Sequence, residues 1–268
     1  MGVLNVTPDS FYPDSRHPDE RSAIAHGRRF IAEGADIVDV GGESSRPGAE
    51  PVAEAEELHR VIPVIEALAP DVRVSVDTMK PAVAAAAIAA GATLVNDVSC
   101  SLAEVAAANG AGLVLMHMQG APRTMQANPR YGDVVAEVFA FLATAARRAR
   151  AAGVEELYID PGIGFGKTLA HNLALLRALP ELVATGESVL VGTSRKNFLG
   201  TLSADVDGSP LPPEERFEGS LATALWAMTC GAAIVRVHDV LVTAQGAALV
   251  GDRPGVATPG PVRTAVSA

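Results

Sequence analysis

Cysteine is scarce in this chain: Cys100 and Cys230 are all it has in 268 residues. A secreted scaffold stapled by disulfides carries more, and a thiolate zinc cluster draws on several cysteines. Both are excluded, and a reducing, cytoplasmic setting is expected. Long apolar runs are missing too. The longest, Ala82–Val95 and Leu221–Val235, are Ala-rich, broken by Gly or Thr, and shorter than the roughly 20 residues a membrane helix needs. The opening shows no basic-then-apolar leader. Nowhere is there a His-Glu-x-x-His helix or a comparable metal constellation. Positive charge is in short supply: 21 Lys and Arg against 31 Asp and Glu leave a net charge of -10. That disfavours nucleic acid as a partner, while a small anion can still be held by local donors.

What is present is apolar material in a regular rhythm. Hydrophobic residues make up 49% and charged residues 19%, enough for a full core and unlike a disordered chain. Short β-branched runs recur at Val3–Val6, Ile37–Val40, Val72–Val76, Leu94–Val95, Leu113–Met116, Leu157–Ile159, Val189–Gly192 and Ile234–Val237, which makes eight candidate strands. Helical spacing lies between them. Val52–Leu68 puts Leu58, Val61, Ile62, Ile65 and Leu68 on one face. Pro81–Ala90 opens on a proline suited to a first turn, and Val134–Ala152 ends on arginines suited to the helix dipole. Leu169–Leu179 and Phe217–Cys230 read as helices as well. Alternating strands and helices imply parallel pairing through right-handed crossovers. Eight such units predict a closed (β/α)8 barrel, the TIM-barrel arrangement, as a single domain over residues 1–250; an open doubly wound sheet is the alternative. Ser203–Glu215, polar with three prolines, reads as a loop, and residues 251–268 read as a flexible tail.

Polar residues gather at the strand ends: Asn5, Asp39, Asp77, Asn96 with Asp97, His117, Asp160, Ser194 with Arg195 and Lys196, and Arg236 with His238. In a βα barrel these positions converge on the C-terminal mouth, where active sites form. Carboxylates and amides would face cations there, a set suited to a hydrogen-bonding heterocycle with an anionic tail. A carboxylate accepts two parallel N–H bonds, which matches the N–C–N edge of a 2-amino-4-oxo pterin. Asp77 and Asp160 end different strands, so each can face inward, and Asn96 can donate and accept on the same ring. The competing reading makes either aspartate the cap of the helix that follows. For any single arginine, the competing reading is a surface ion pair of small value. Gly162-Ile-Gly-Phe-Gly-Lys167-Thr168 suggests a phosphate loop. However, Pro161 stands where that fingerprint needs Gly, and Lys167 where the dinucleotide pattern needs its third Gly. A tight turn into a helix is left, with Phe165 either stacking on a planar ligand or lying in the core. His117 reads as a structural histidine or a peripheral wall rather than a catalytic base. His26, His59 and His171 read as facing solvent.

Taken in order, these motifs resemble one family. Met1-Gly-Val-Leu-Asn5-Val-Thr-Pro-Asp-Ser-Phe11 and Asp39-Val-Gly-Gly-Glu-Ser-Ser-Arg46-Pro-Gly48 are similar to the two signatures of dihydropteroate synthases. Val74-Ser-Val-Asp77-Thr, Asn96-Asp97-Val-Ser, Leu115-Met-His117-Met-Gln-Gly, Asp160-Pro-Gly-Ile-Gly-Phe165-Gly-Lys, Gly192-Thr-Ser-Arg-Lys196 and Arg236-Val-His238-Asp-Val continue the likeness to about Val250. The resemblance implies a transferase of folate biosynthesis, the target of sulfonamides. Its members condense 6-hydroxymethyl-7,8-dihydropterin diphosphate with 4-aminobenzoate to 7,8-dihydropteroate and diphosphate. It also implies that Asp77, Asn96, Asp160, Phe165, Gly192, Lys196 and Arg236 hold the pterin, with Asp77, Lys196 and Arg236 catalytic. Asn5, Arg46, Arg236 and His238 would hold the diphosphate. Phe11, Ser45, Pro47, Lys196 and Asn197 would shape the aminobenzoate pocket. A Mg2+ ion touching Asn5 and a homodimer are implied as well. Two loops, Thr7 to about Pro18 and Glu43–Pro51, would close over the site.

The chain departs from the family pattern at four places. Tyr12-Pro-Asp-Ser-Arg-His17 replaces the usual Ser-Asp-Gly-Gly after Phe11, Cys100 replaces a glycine and Asn197 a frequent serine, and the chain opens almost inside its first strand. Two rivals stay open on this evidence. A non-catalytic pterin-binding paralogue would bind pterin without turnover. A pterin-dependent methyltransferase would share the barrel but need no diphosphate site, and the Ser-Arg-Lys and Arg-Val-His motifs speak against it.

Overall fold

The eight apolar runs form strands in the computed structural model, which describes residues 1–7, 20–44, 50–204 and 207–250. They are β1 (Gly2–Asn5), β2 (Ile37–Gly41), β3 (Arg73–Asp77), β4 (Leu94–Asp97), β5 (Gly112–Met116), β6 (Leu157–Asp160), β7 (Ser188–Val191) and β8 (Ile234–Val235). Neighbours pair in parallel, in chain order. The ring closes where the Val3 N–H donates to the Val237 carbonyl at 2.9 Å and the Val237 N–H to the Met1 carbonyl at 2.9 Å. This closure makes the fold a (β/α)8 barrel in a single domain and removes the open-sheet alternative.

The helices are α1 (Glu20–Ala32), α2 (Glu54–Leu68), α3 (Pro81–Ala89), α4 (Ala103–Ala108), α5 (Val134–Ala151), α6 (Leu169–Arg177), α7 (Leu179–Val183), α8 (Asn197–Leu202), α9 (Phe217–Thr229) and α10 (Val240–Val250). The expected helix Leu169–Leu179 breaks after Arg177 and restarts as α7, because Pro180 lacks the N–H that a continuing helix needs. Short α4 and α8 leave too few turns for periodicity to register, and α10 is apolar on nearly every side, so none of the three gives an amphipathic signal. His26, expected at the surface, is buried. Its ring centroid lies 4.4 Å from that of Phe30, and Nε2 lies 2.9 Å from Arg29 Nη2. The expected tail from residue 251 lies outside the described residues. No helix among the described residues is long and apolar enough to cross a membrane.

Two cores follow from the strand period of two. Outward residues such as Leu4, Val38, Val40, Val74, Val76 and Leu113 pack under the helices with Phe30, Ile65, Leu68 and Leu142. Ile37, Leu94, Val114, Leu190 and Ile234 form a separate cluster with Tyr158. Two residues further along each of these five strands, the same face carries Asp39, Asn96, Met116, Gly192 and Arg236. The barrel axis is therefore apolar at its floor and mostly polar at its mouth.

At the closing seam, Gly2 has no side chain because none fits. An added Cβ would lie 2.8 Å from Phe30 Cδ2 and 3.1 Å from Val240 Cγ2. Gly2→Ala should lower stability by roughly 1–3 kcal/mol through overpacking between α1 and α10. A urea midpoint equal to that of wild type would show that the seam has slack.

Candidate active site

Arg236, just beyond β8, reaches across the mouth to two strands. Its Nε donates to Asp39 Oδ2 at 2.6 Å and its Nη2 to Asp77 Oδ2 at 2.8 Å. Asn96 Nδ2 donates to the same Asp39 oxygen at 3.0 Å. Asp39 is fully buried, and its other oxygen, Oδ1, has no hydrogen-bond partner. Burial pushes the Asp77 carboxyl up; the Arg236 guanidinium opposes that push and the Asp39 carboxylate adds to it. The competing role of Asp77 as a helix cap does not occur: Lys80 is the N-cap of α3, without a side-chain cap bond.

The opposite wall is the turn after β6. Asp160 Oδ1 accepts the Gly162 N–H at 2.7 Å. Lys196 Nζ donates to the Ile163 carbonyl at 2.6 Å and sits 4.6 Å from the Phe165 ring centroid, a cation–π contact. Burial brings the Lys196 ammonium down to about 8, against the pull of Asp160. Burial likewise raises Asp160, against Lys196. Gly162 and Gly164 have φ of 66° and 85°. A Cβ on Gly162 would overlap the His117 carbonyl, and one on Gly164 would lie 3.0 Å from Lys196 Cδ. Those glycines let the turn fold under the lysine. Gly192 joins the two walls, since its missing Cβ would lie 3.6 Å from Arg236 Cβ and 3.7 Å from Lys196 Nζ.

Asp77, Asn96 and Arg236 thus form one group, joined through Asp39, and Asp160, Phe165 and Lys196 another, joined through the turn after β6, with Gly192 between them. Asn5 ends β1 beside the first group; its Oδ1 lies 3.8 Å from where a Gly41 Cβ would stand. His238 faces Ser194, with Nδ1 3.0 Å from Oγ, and burial followed by the nearby Arg236 lowers it to about 3. Asn197 is not joined to either group: it is exposed at the head of α8, where Oδ1 accepts from Arg216 Nη2 at 3.2 Å. Phe11, Ser45, Arg46 and Pro47, and with them most of both expected loops, lie outside the described residues. Arg195, which adjoins Lys196, serves the scaffold: its fork grips Asp239 at 3.0 and 2.6 Å. Asp97 is consumed locally as well, taking N–H bonds from Ser99 at 2.8 Å and from Ser101 and Leu102 at 2.7 Å. Asp39 is the member the sequence reading named without assigning a role; its only signal was its inward register with Ile37.

The expected Mg2+ is corrected. No group of three or more His, Cys, Asp or Glu among the described residues could hold a metal ion. Asn5 offers a single amide oxygen, and one oxygen each of Asp39 and Asp77 is engaged by Arg236.

A (β/α)8 barrel with carboxylates, an amide and two cations at its mouth accords with a pterin-binding enzyme, and the family model described as "Pterin binding enzyme" matches residues 1–238. Among similar proteins, the dihydropteroate synthase of Mycobacterium leprae is 48% identical over 261 residues, covering 94% of this chain and 92% of the relative. That of Escherichia coli is 46% identical over 258 residues, covering 93% and 89%. A Yersinia pestis dihydropteroate synthase, crystallised with a sulfonamide drug complex, superposes with a TM-score of 0.88 at 45% identity, covering 93% of this chain and 92% of the other. The Xanthomonas albilineans dihydropteroate synthase with 4-aminobenzoic acid gives 0.84 at 46% identity, covering 93% and 90%. The chain belongs to the dihydropteroate synthase family and is an enzyme, a transferase. The methyltransferase and non-catalytic readings fall with that result.

His117, 7% exposed, is held at about 4, first by burial and then by the Lys167 ammonium. A histidine whose folded pKa lies below its unfolded value leaves stability intact above about pH 6.5 and loses it as pH falls towards the folded value. His117→Gln keeps an acceptor for Lys167 but cannot take up the proton. Between about pH 6.5 and 4.5, wild type should lose roughly 2 kcal/mol relative to this variant in urea unfolding. Parallel curves would show that His117 titrates normally.

Proposed function

We propose that the mouth holds 6-hydroxymethyl-7,8-dihydropterin diphosphate and 4-aminobenzoate in the roles the motifs imply. The observation that carries this is the pair of facing walls: Asp77 and Asn96 beside Arg236, opposite Asp160 beside Lys196. Asp160 and Asp77 accept N–H donors from the pterin edge, and Asn96 complements them. Phe165 lies alongside the ring plane. Arg236 and His238, with Asn5 and Arg46, meet the diphosphate, while Phe11, Ser45, Pro47, Lys196 and Asn197 border the aminobenzoate.

The chemistry needs no covalent nucleophile. The C–O bond between the pterin methylene and the diphosphate breaks, and the electron pair leaves with the diphosphate oxygen. Arg236 meets the charge that grows there. The electron-rich ring shares the positive charge left on the methylene. The neutral aromatic amine of aminobenzoate then forms the C–N bond and gives up one proton; it needs positioning more than activation. Phe165 and Lys196 narrow the mouth against water that would otherwise capture the carbon. A homodimer through the α9 face, where Trp226 is 48% exposed, accords with this reading.

The test is diphosphate release by the purified protein given the dihydropterin diphosphate, with and without 4-aminobenzoate. Aminobenzoate-dependent release with an equal yield of dihydropteroate is expected; pterin binding without release would defeat the reading. In the same assay, Asp77→Asn and Lys196→Ala should each lower kcat/KM by about 10²–10³-fold, with circular dichroism unchanged. Unchanged kinetics in either variant would remove that residue from the site.

A further inference from the structure

Lys167 lies behind the pterin wall, 3% exposed, and its ammonium makes four hydrogen-bonding contacts, none to a carboxylate. It lies 2.9 Å from His117 Nδ1 and donates to the carbonyls of Gly162 at 2.9 Å, Phe165 at 3.0 Å and His117 at 3.3 Å. A lone ammonium is costly to bury unless its donors are satisfied. Its three N–H groups are shared among three backbone carbonyls and one imidazole nitrogen, and burial still brings the ammonium down to about 7, against the pull of Asp160. The Gly162 carbonyl also accepts the Phe165 N–H at 3.0 Å, so the ammonium sits on a turn that Gly162, at φ of 66°, allows to close. The same turn delivers its outer atoms to the mouth: the Gly162 N–H to Asp160, the Ile163 carbonyl to Lys196, and the Phe165 ring beneath the Lys196 ammonium.

We propose that Lys167 is a positioning residue for pterin recognition: its ammonium ties the Gly162 and Phe165 carbonyls to the end of β5, and so sets the Asp160 carboxylate, the Phe165 ring and the Lys196 ammonium at their working distances. It touches no substrate itself. This rests on the reading of the mouth as a pterin pocket. A Cβ on Gly162 would lie 3.3 Å from Lys167 Nζ and overlap the His117 carbonyl, so the cage needs glycine there.

Two variants test the idea. Lys167→Met keeps the side chain as far as Cε and loses every N–H; Lys167→Gln keeps two donors. Calorimetric binding of 6-hydroxymethyl-7,8-dihydropterin diphosphate, without aminobenzoate, should weaken about tenfold in Lys167→Met and about threefold in Lys167→Gln. The KM for 4-aminobenzoate should rise less than the pterin affinity falls in both, since this turn sets Asp160 and Phe165 on the pterin side and reaches the aminobenzoate only through Lys196. Should Lys167→Met not fold, Lys167→Gln decides alone. Wild-type pterin affinity in the folded variants would overturn the proposal, and so would an equal loss for both substrates. Wild-type protein that binds the pterin but releases no diphosphate would count against the proposed reaction and leave the calorimetric comparison intact. Wild-type protein without pterin binding would overturn both.

Discussion

In a closed barrel of parallel strands, every second side chain points at the axis, and the axis has one floor and one mouth. Whatever the inward register carries at the strand tops must therefore share one small volume. Here that volume receives Asp39, Asp77, Asn96, Asp160 and Arg236, from strands as far apart in the chain as β2 and β8. Carboxylates crowded in this way raise one another's affinity for protons, and burial adds to the effect. One guanidinium placed between two of them relieves it. Arg236 is always charged and its planar fork meets Asp39 and Asp77 in fixed directions, so the mouth is organised before any ligand arrives.

The rest of the site depends on that arrangement. With Asp39 Oδ2 held by Arg236 and Asn96, Asp77 and Asn96 are the first wall's groups for the proposed pterin. The second wall is made differently. Its shape comes from a glycine turn whose carbonyls converge on Lys167, and its charge comes from Lys196 balanced against Asp160. One wall is held by side-chain ion pairs between strands, the other by a buried ammonium within a loop. Both remove rotameric freedom from the groups that would meet the substrate.

Neighbouring residues have separate fates for local reasons. Arg195 takes a left-handed backbone with φ of 57°, and its fork is bonded to Asp239, away from the mouth; Lys196 returns to extended φ and reaches the Ile163 carbonyl. Asp97 follows Asn96 directly, but the strand period puts it on the other face, where it gathers the N–H groups that lead into α4. A list of strand-end polar residues cannot separate these pairs, because the side each one faces depends on a register and a turn that are set elsewhere.

Much was legible in the chain alone. Eight apolar runs at strand length, separated by helical spacing, admit few closed arrangements, and polar residues at their ends mark the mouth before any coordinates exist. Asp77, Asn96, Asp160, Lys196 and Arg236 could be named because each stands where a local apolar run stops. Tertiary structure alone decided the partners. Asp39 and Arg236 are 197 positions apart, so no local pattern links them. Lys167 looked merely like the residue that spoils a glycine motif, and its cage exists only once β5 and β6 lie side by side. The expected Mg2+ failed on spatial grounds as well: among the described residues no three His, Cys, Asp or Glu come together where they could hold a metal ion. Sequence determines which residues end the strands, because that is a local matter of period and polarity; folding decides which charge each one neutralises, because that depends on distances the barrel creates.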